Sequence, residues 1–566
     1  MQTLSGVDGA FLHLETAETP MHVGSLHLFD LPAGYRGDFA AGIRKMMRER
    51  LHLVPVFTRK LAPMPLQFAN PVWITENKVD LSYHIQRITL PKPGTLAQFE
   101  DCAGRLHSEL LDRTRPLWRL YVIDGLQSGQ VGYYIKVHHA VLDGQAGVLL
   151  AQALFDLTPV PRSVPKGEAA QAEHPGMAAL ATAALKHDAG QFIKLVRHLP
   201  DVARTLVSML GSGAAPGEGK GQLGSNFAFG PKTALNAPIT GERGLGTRSI
   251  PMTTLKQIGA AHDAKLNDVV MALCSGALRH YLKAHGGLPK KPLIAAMPIS
   301  LREAGNTDYT TQATMSLVNL NTHIADPVKR LRAIRDASGA MKALAKQSRG
   351  VIPTDFPSIG TPWLLGALAK LYGRSGIARA VPPIANVVIS NVPGPQVPMF
   401  AAGARMATYW PLSITEHGLA LNLTVMSYAG AMGFGFTTAS AVIPDARELT
   451  AALDLALAEL QARSPVPQNA AAAVQPDRKT VGAKSGVTTK AVVKKAAVKK
   501  PAAKKKAPAA TAPVKKAPAR KPAKKAAKKA AKKAAKKAVG SKPAAKKGKD
   551  AAKTAAVVPS KRERKS

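Results

Sequence analysis

The chain has 566 residues and a formal net charge of +41, unevenly placed. From Ala471 to Ser566 there are 32 Lys and Arg against 3 acidic residues, whereas the residues before Ala471 carry 45 against 33. Two distant cysteines, Cys102 and Cys274, argue against a disulfide framework and fit a reducing compartment. No window reaches the ~18 consecutive apolar residues of a membrane-spanning helix.

In chain order, the opening "MQTLSGVDGAFLHLETAETP" has no basic region leading into an apolar run, so no signal peptide is expected. Alternating patterns predict strands at 23–29, 118–124 and 131–138, and helical spacing predicts helices at 96–111 and 144–156. Strands interleaved with amphipathic helices indicate α/β or α+β organisation. A Pro-rich loop at 158–175 leads into a basic amphipathic stretch at 177–210, and the glycines of 211–226 mark a flexible connection. The second half begins near residue 236, with helices at 253–264 and 266–286 and strand-like runs at 293–297, 385–390, 420–427 and 432–437. The resulting division is 1–210, a 211–235 linker, 236–463 and a Lys/Ala/Pro-rich tail at 464–566.

The tail repeats "AAKK". A four-residue period drifts around a 3.6-residue helix, so the lysines leave no face to bury and repel one another at i,i+4. This segment is expected to be disordered when free and to gain helix only against a polyanion.

"KVHHAVLDGQAG", 136–147, places two histidines ahead of an aspartate and a glycine. Strand alternation puts Tyr133, Ile135, Val137 and His139 on one face, and Tyr134, Lys136 and His138 on the other. The two imidazoles diverge and no further ligand cluster accompanies them, so no metal site is expected. Spacing alone leaves two readings of His139 open: a packed imidazole, or a general base facing an apolar channel. Asp143 reads equally as a helix N-cap. The chain has no G-x-S-x-G elbow, no phosphate-binding loop and no cysteine in a nucleophile motif, and "MGFGFT" at 432–437 is not a phosphate loop.

"HHAVLDG", His138 to Gly144, resembles the HHxxxDG signature of CoA-dependent acyltransferases. Further stretches are similar to one branch, the bacterial wax ester synthase/acyl-CoA:diacylglycerol acyltransferases: "FLHLETAETPMHVGSL" (11–26), "RPLW" (115–118), "LNDVVMA" (266–272), "MPISLR" (297–302) and "SNVPGP" (390–395). That resemblance implies an α/β fold of two chloramphenicol-acetyltransferase-like domains joined by a crossover, with a tunnel between them. It implies His139 as general base, supported by His138, Asp143 and Gly144. Arg302 or Arg119 would pair with Asp143, and Asn267 and Ser300 would line the tunnel. The implied reaction joins acyl-CoA, a co-substrate and not a cofactor, to diacylglycerol or a long-chain alcohol. Pro116 and Trp118 are expected to be structural.

Apolar substrates imply a cytoplasmic protein peripherally associated with the inner membrane or lipid inclusions. The stretches 177–210 and 363–380 suit interfacial helices or ordinary packed ones. The tail resembles linker-histone-like repeats; lacking aromatic residues from 465 onward, it would bind DNA or another polyanion without reading sequence. The alternatives are a non-enzymatic nucleoid or lipid-granule organiser acting through the tail, and an acyltransferase for another acceptor.

Overall fold

The computed structural model describes residues 2–64, 66, 69–142, 144–167, 173, 175–190, 193, 230–300, 313–347, 364 and 382–464. The tail from 465 onward lies outside the described residues, as do 211–229 and 301–312.

The strands are β1 (Gln2–Thr3), β2 (His22–Asp30), β3 (Arg59–Ala62), β4 (Val72–Thr75), β5 (Ile85–Thr89), β6 (Trp118–Asp124), β7 (Val131–His138) and β8 (Arg243–Pro251). They continue with β9 (Ile294–Ser300), β10 (Ala313–Asn319), β11 (Val387–Val392), β12 (Phe400–Ala401), β13 (Ala404–Met406), β14 (Trp410–Leu412), β15 (Leu421–Tyr428) and β16 (Ala431–Ala439). The labelled α-helices are α1 (Gly6–Leu14), α2 (Phe39–Arg50), α3 (Leu81–His84), α4 (Leu96–Ser108), α5 (Gly144–Leu154), α6 (Met252–Ala261), α7 (Leu266–Ala284), α8 (Pro327–Gln347) and α9 (Arg447–Ala462).

Two large sheets organise these elements. The first runs β12-β13-β2-β7-β6-β5, with β14 also paired to β2; the second runs β10-β9-β11-β15-β16-β8. The sheets do not divide along the chain. Residues 400–412 belong to the 236–463 segment, yet β13 and β14 pair antiparallel with successive stretches of β2. The fold is the mixed α/β arrangement expected, with the later segment reaching back to complete the earlier sheet.

β7 is buried along its whole length on both faces. Tyr133, Ile135 and Val137 enter one core with Trp118 and Val122. Tyr134 faces α4, whose Phe99, Cys102, Ala103 and Leu106 recur at helical spacing and pack against it. A Thr95–Gln98 capping box starts α4. Trp118 is structural, as expected: its indole N–H donates to the Phe57 carbonyl at 3.2 Å and its ring stacks on His84 at 4.2 Å.

The "MGFGFT" run is β16, and its alternation has a packing cause. Met432, Phe434 and Phe436 enter the core of the second sheet, while Gly433 and Gly435 face β14. A Cβ at Gly433 would lie 2.1 Å from the Tyr409 carbonyl oxygen, and one at Gly435 1.8 Å from that of Pro411. Only glycine lets the two backbones approach so closely. Gly435→Ala is therefore expected to force the sheets apart and destabilise by about 3 kcal/mol, the upper end of ordinary overpacking costs. An unchanged urea midpoint would contradict this packing.

The described part of 177–210 includes a helix over 177–190. Its Leu180 and Ala184 pack on Val72 and Ile74 of the small β1-β4-β3 sheet, while Met177 and Leu185 are exposed. Apart from Leu364, the 363–380 stretch lies outside the described residues. Among the described residues no helix is long and apolar enough to cross a membrane.

Candidate active site

A cavity of about 440 Å³ opens between the two sheets. Its wall is mainly apolar, with Val23 of β2, Ile135 and Val137 of β7, and Val388, Val392 and Met426 from the second sheet. β9 and β11 share only the pairs Val387↔Ala295 and Val388↔Ala296, although β11 continues beside β15 as far as Val392↔Met426. Pro298, two residues past the last shared pair on β9, has no N–H to offer β11. Pro298 and Ser390 flank the resulting gap, and both line the cavity.

His139 follows the last residue of β7 and lines the cavity. Its backbone N–H donates to the Met21 carbonyl at 2.8 Å. Its imidazole stacks on Phe11 of α1, with ring centroids 4.0 Å apart and planes inclined by 17°. Backbone and ring are thus both held, with the ring at the wall of an apolar chamber.

His138 points the other way and is fully buried. Its Nδ1 accepts the Ala140 N–H at 3.0 Å, which leaves the proton on Nε2, 3.3 Å from Glu15 Oε1. The same oxygen accepts the Met21 N–H at 3.0 Å and lies 3.4 Å from His22 Nε2. Arg113 donates to Glu15 Oε2 at 2.8 Å. Burial alone would raise the Glu15 pKa, but hydrogen bonding to His138 and His22 outweighs it and holds the carboxyl well below its usual range. His22 is pushed down to about 4 by burial, against the pull of Glu15.

The face of β7 that alternation marks as the more polar is therefore a buried polar network. Lys136, also on that face, is pushed down to about 7 by burial and donates to the Leu106 and Glu109 carbonyls at the end of α4, where the helix dipole favours a cation. His107 Nδ1 lies 2.7 Å from the Tyr134 hydroxyl. This network anchors the His138 side of the motif and leaves His139 to the cavity.

The wax ester synthase/diacylglycerol acyltransferase catalytic-domain model matches residues 4–270, and the C-terminal domain model of the same family matches residues 311–461. The chain belongs to the wax ester synthase/diacylglycerol acyltransferase family. A Mycobacterium tuberculosis protein named as a diacylglycerol O-acyltransferase is 34% identical over 458 residues, covering 81% of this chain and 99% of its own. A Mycobacterium bovis protein so named is 33% identical over 468 residues, covering 80% of this chain and 97% of its own. The solved wax ester synthase/diacylglycerol acyltransferase of Marinobacter aquaeolei VT8 superposes with a TM-score of 0.59 at 27% identity, covering 82% of this chain and all of that one.

The other residues expected at this family's site divide between those the structure places and those outside the described residues. Asn267 does not line the cavity wall but stands one hydrogen bond behind it: Asn391, which does line it, donates from Nδ2 to Asn267 Oδ1 at 3.0 Å. The reason is local. Asp268 accepts the Lys265 N–H at 3.1 Å and so serves the start of α7, leaving the Asn267 amide for Asn391. Gly144 begins α5. Asp143, Arg302 and the Ser300 side chain lie outside the described residues. The Arg119 guanidinium sits 4.2 Å from the centre of the Tyr83 ring.

Glu15, Phe11 and His22 carry much of the geometry and were not singled out by sequence reasoning. They fall within the 11–26 stretch that marks the family, so that signature was the available signal.

Proposed function

We propose that this chain transfers a long-chain acyl group from acyl-CoA to diacylglycerol or a long-chain alcohol, with His139 as general base. The observation that carries the proposal is that His139, and not His138, stands on the wall of the apolar cavity between the sheets. A lipid hydroxyl bound there gives its proton to the His139 imidazole as its oxygen attacks the thioester carbonyl. The imidazolium then returns that proton to the departing thiolate, so ester and free CoA are formed and the histidine is regenerated. No protein nucleophile is needed, because a thiolate leaves readily. The apolar wall disfavours water as a competing acceptor. The names of the similar mycobacterial and Marinobacter proteins support this substrate class. In a thiol-release assay with palmitoyl-CoA, CoA should appear several times faster with dioleoylglycerol or hexadecanol than without; acceptor-independent release would overturn the proposal.

We read residues 464–566 as a tether to anionic lipid at the cytoplasmic membrane or on lipid inclusions, which would bring the cavity to its insoluble substrates. The 32 basic residues beyond Ala471 support this. Full-length protein should bind phosphatidylserine vesicles at 50 mM salt and release them steeply by 300 mM, as expected of charges screened within ~10 Å. Binding to duplex DNA but not to vesicles would make nucleic acid the partner instead.

A further inference from the structure

Glu416 lies in the loop between β14 and β15, and it lines the cavity. Its backbone N–H and carbonyl are both engaged with Leu419, at 3.2 and 2.9 Å, so its carboxyl is the polar group it has left to offer. The loop is fixed on both sides. The Asn422 amide donates to the Ile414 carbonyl at 2.9 Å, and His417 Nδ1 accepts the Ile239 N–H at 3.1 Å.

The cavity wall near Glu416 in the chain mixes Leu412, Ile414 and Leu419 with the neutral polar Ser413 and Asn422. Among the described residues no Lys or Arg forms an ion pair with it. Burial pushes its pKa up, which favours the neutral acid. In its protonated form the carboxyl is a hydrogen-bond donor on the wall of that chamber.

The two candidate acceptors differ in what they can give such a donor. Each has one hydroxyl for the reaction. Beyond it, a long-chain alcohol is hydrocarbon, whereas diacylglycerol carries two ester carbonyls that only accept hydrogen bonds. We propose that Glu416 is a specificity-determining residue that donates to an ester carbonyl of the glyceride acceptor, favouring diacylglycerol over long-chain alcohols. An alcohol in the same place leaves the buried donor unpaired, which is how a polar site rejects a substrate lacking the matching group. This inference rests on the acyltransferase reading above.

The test uses the full-length protein, palmitoyl-CoA, and dioleoylglycerol or hexadecanol, with Glu416→Leu and Glu416→Gln compared with wild type. Leucine should raise the KM for dioleoylglycerol about tenfold with little change in kcat, the cost of about one lost hydrogen bond, and should lower the KM for hexadecanol or leave it within about twofold. Glutamine, a neutral donor of similar size, should keep the KM for dioleoylglycerol near that of wild type. Equal losses with both acceptors, no change with either, or a glutamine variant as impaired as leucine would overturn the assignment. A wild type active with both acceptors but blind to these substitutions overturns this inference alone. A wild type inactive with both overturns the acyltransferase reading and this one with it.

Discussion

His139→Ala is expected to lower kcat with either acceptor by about 10²–10⁴-fold, the usual contribution of a positioned general base. His139 faces the cavity and is held by Phe11 and the Met21 carbonyl, whereas His138 is enclosed between Ala140 and Glu15. Trimming His139 removes the ring from the cavity wall and leaves the buried network intact, so the far-UV spectrum and the urea midpoint should change little. His138→Ala should behave differently. It leaves the buried Glu15 carboxylate short of a partner, and such losses destabilise by several kcal/mol. Folding and activity should then fall together. A His139→Ala protein with more than about a tenth of wild-type kcat would show that the proton leaves by another route.

Acid should destabilise this protein as its buried histidines are drawn to protonate. Burial pushes His22, His27 and His84 down to about 4, and His107 well below 6.5. In the unfolded chain each returns to about 6.5. Depressed folded values mean that the unfolded state binds the protons. The stability these groups contribute is fully present above pH 6.5 and is lost as pH falls towards 4. Glu100, raised to about 7 by burial between α4 and Thr247, works the other way. It binds a proton in the folded state between about pH 4.5 and 7 and offsets one of the four. Lys136, at about 7, has lost its contribution by neutral pH and adds nothing below it. These five groups together give an uptake of about two to three protons on unfolding near pH 5.5, a slope of roughly 3–4 kcal/mol per pH unit, from which the raised Glu416 subtracts and to which the lowered His13 and His417 add. Urea unfolding at pH 7.5, 6.5 and 5.5 measures it directly. A flat midpoint across that range would mean that these imidazoles are already protonated in the folded protein.

The legible and illegible parts of this chain differ in range. Val131–His138 could be read to the residue because its Tyr, Ile and Val alternate without interruption and a turn follows. The separation of His139 from His138 came from the same alternation. The strands β12 to β14 could not be read, because two or three residues show no period and their partner β2 lies far back in the chain; the Leu28 N–H to Thr408 hydroxyl bond spans 380 positions. Gly433 and Gly435 could be set apart from phosphate loops, but their cause, the backbone of β14, exists only once that strand has crossed over. Asn267 was expected on the tunnel wall, and nothing local indicates that Asn391 would stand there with Asn267 hydrogen-bonded behind it. Glu15 sits in a family signature whose residues carry no visible role until the fold gathers His22, His138 and Arg113 around one carboxylate.

On the proposed mechanism, acyl groups pass from CoA to a lipid hydroxyl at His139. It is tested most directly by following radiolabelled palmitoyl-CoA with the purified full-length protein, and quantifying free CoA and lipid ester together. Ester and CoA should appear one for one with dioleoylglycerol or hexadecanol, and both should fall by at least about a hundredfold in His139→Ala. CoA released as free palmitate without ester, or ester formation undiminished in His139→Ala, would contradict the account.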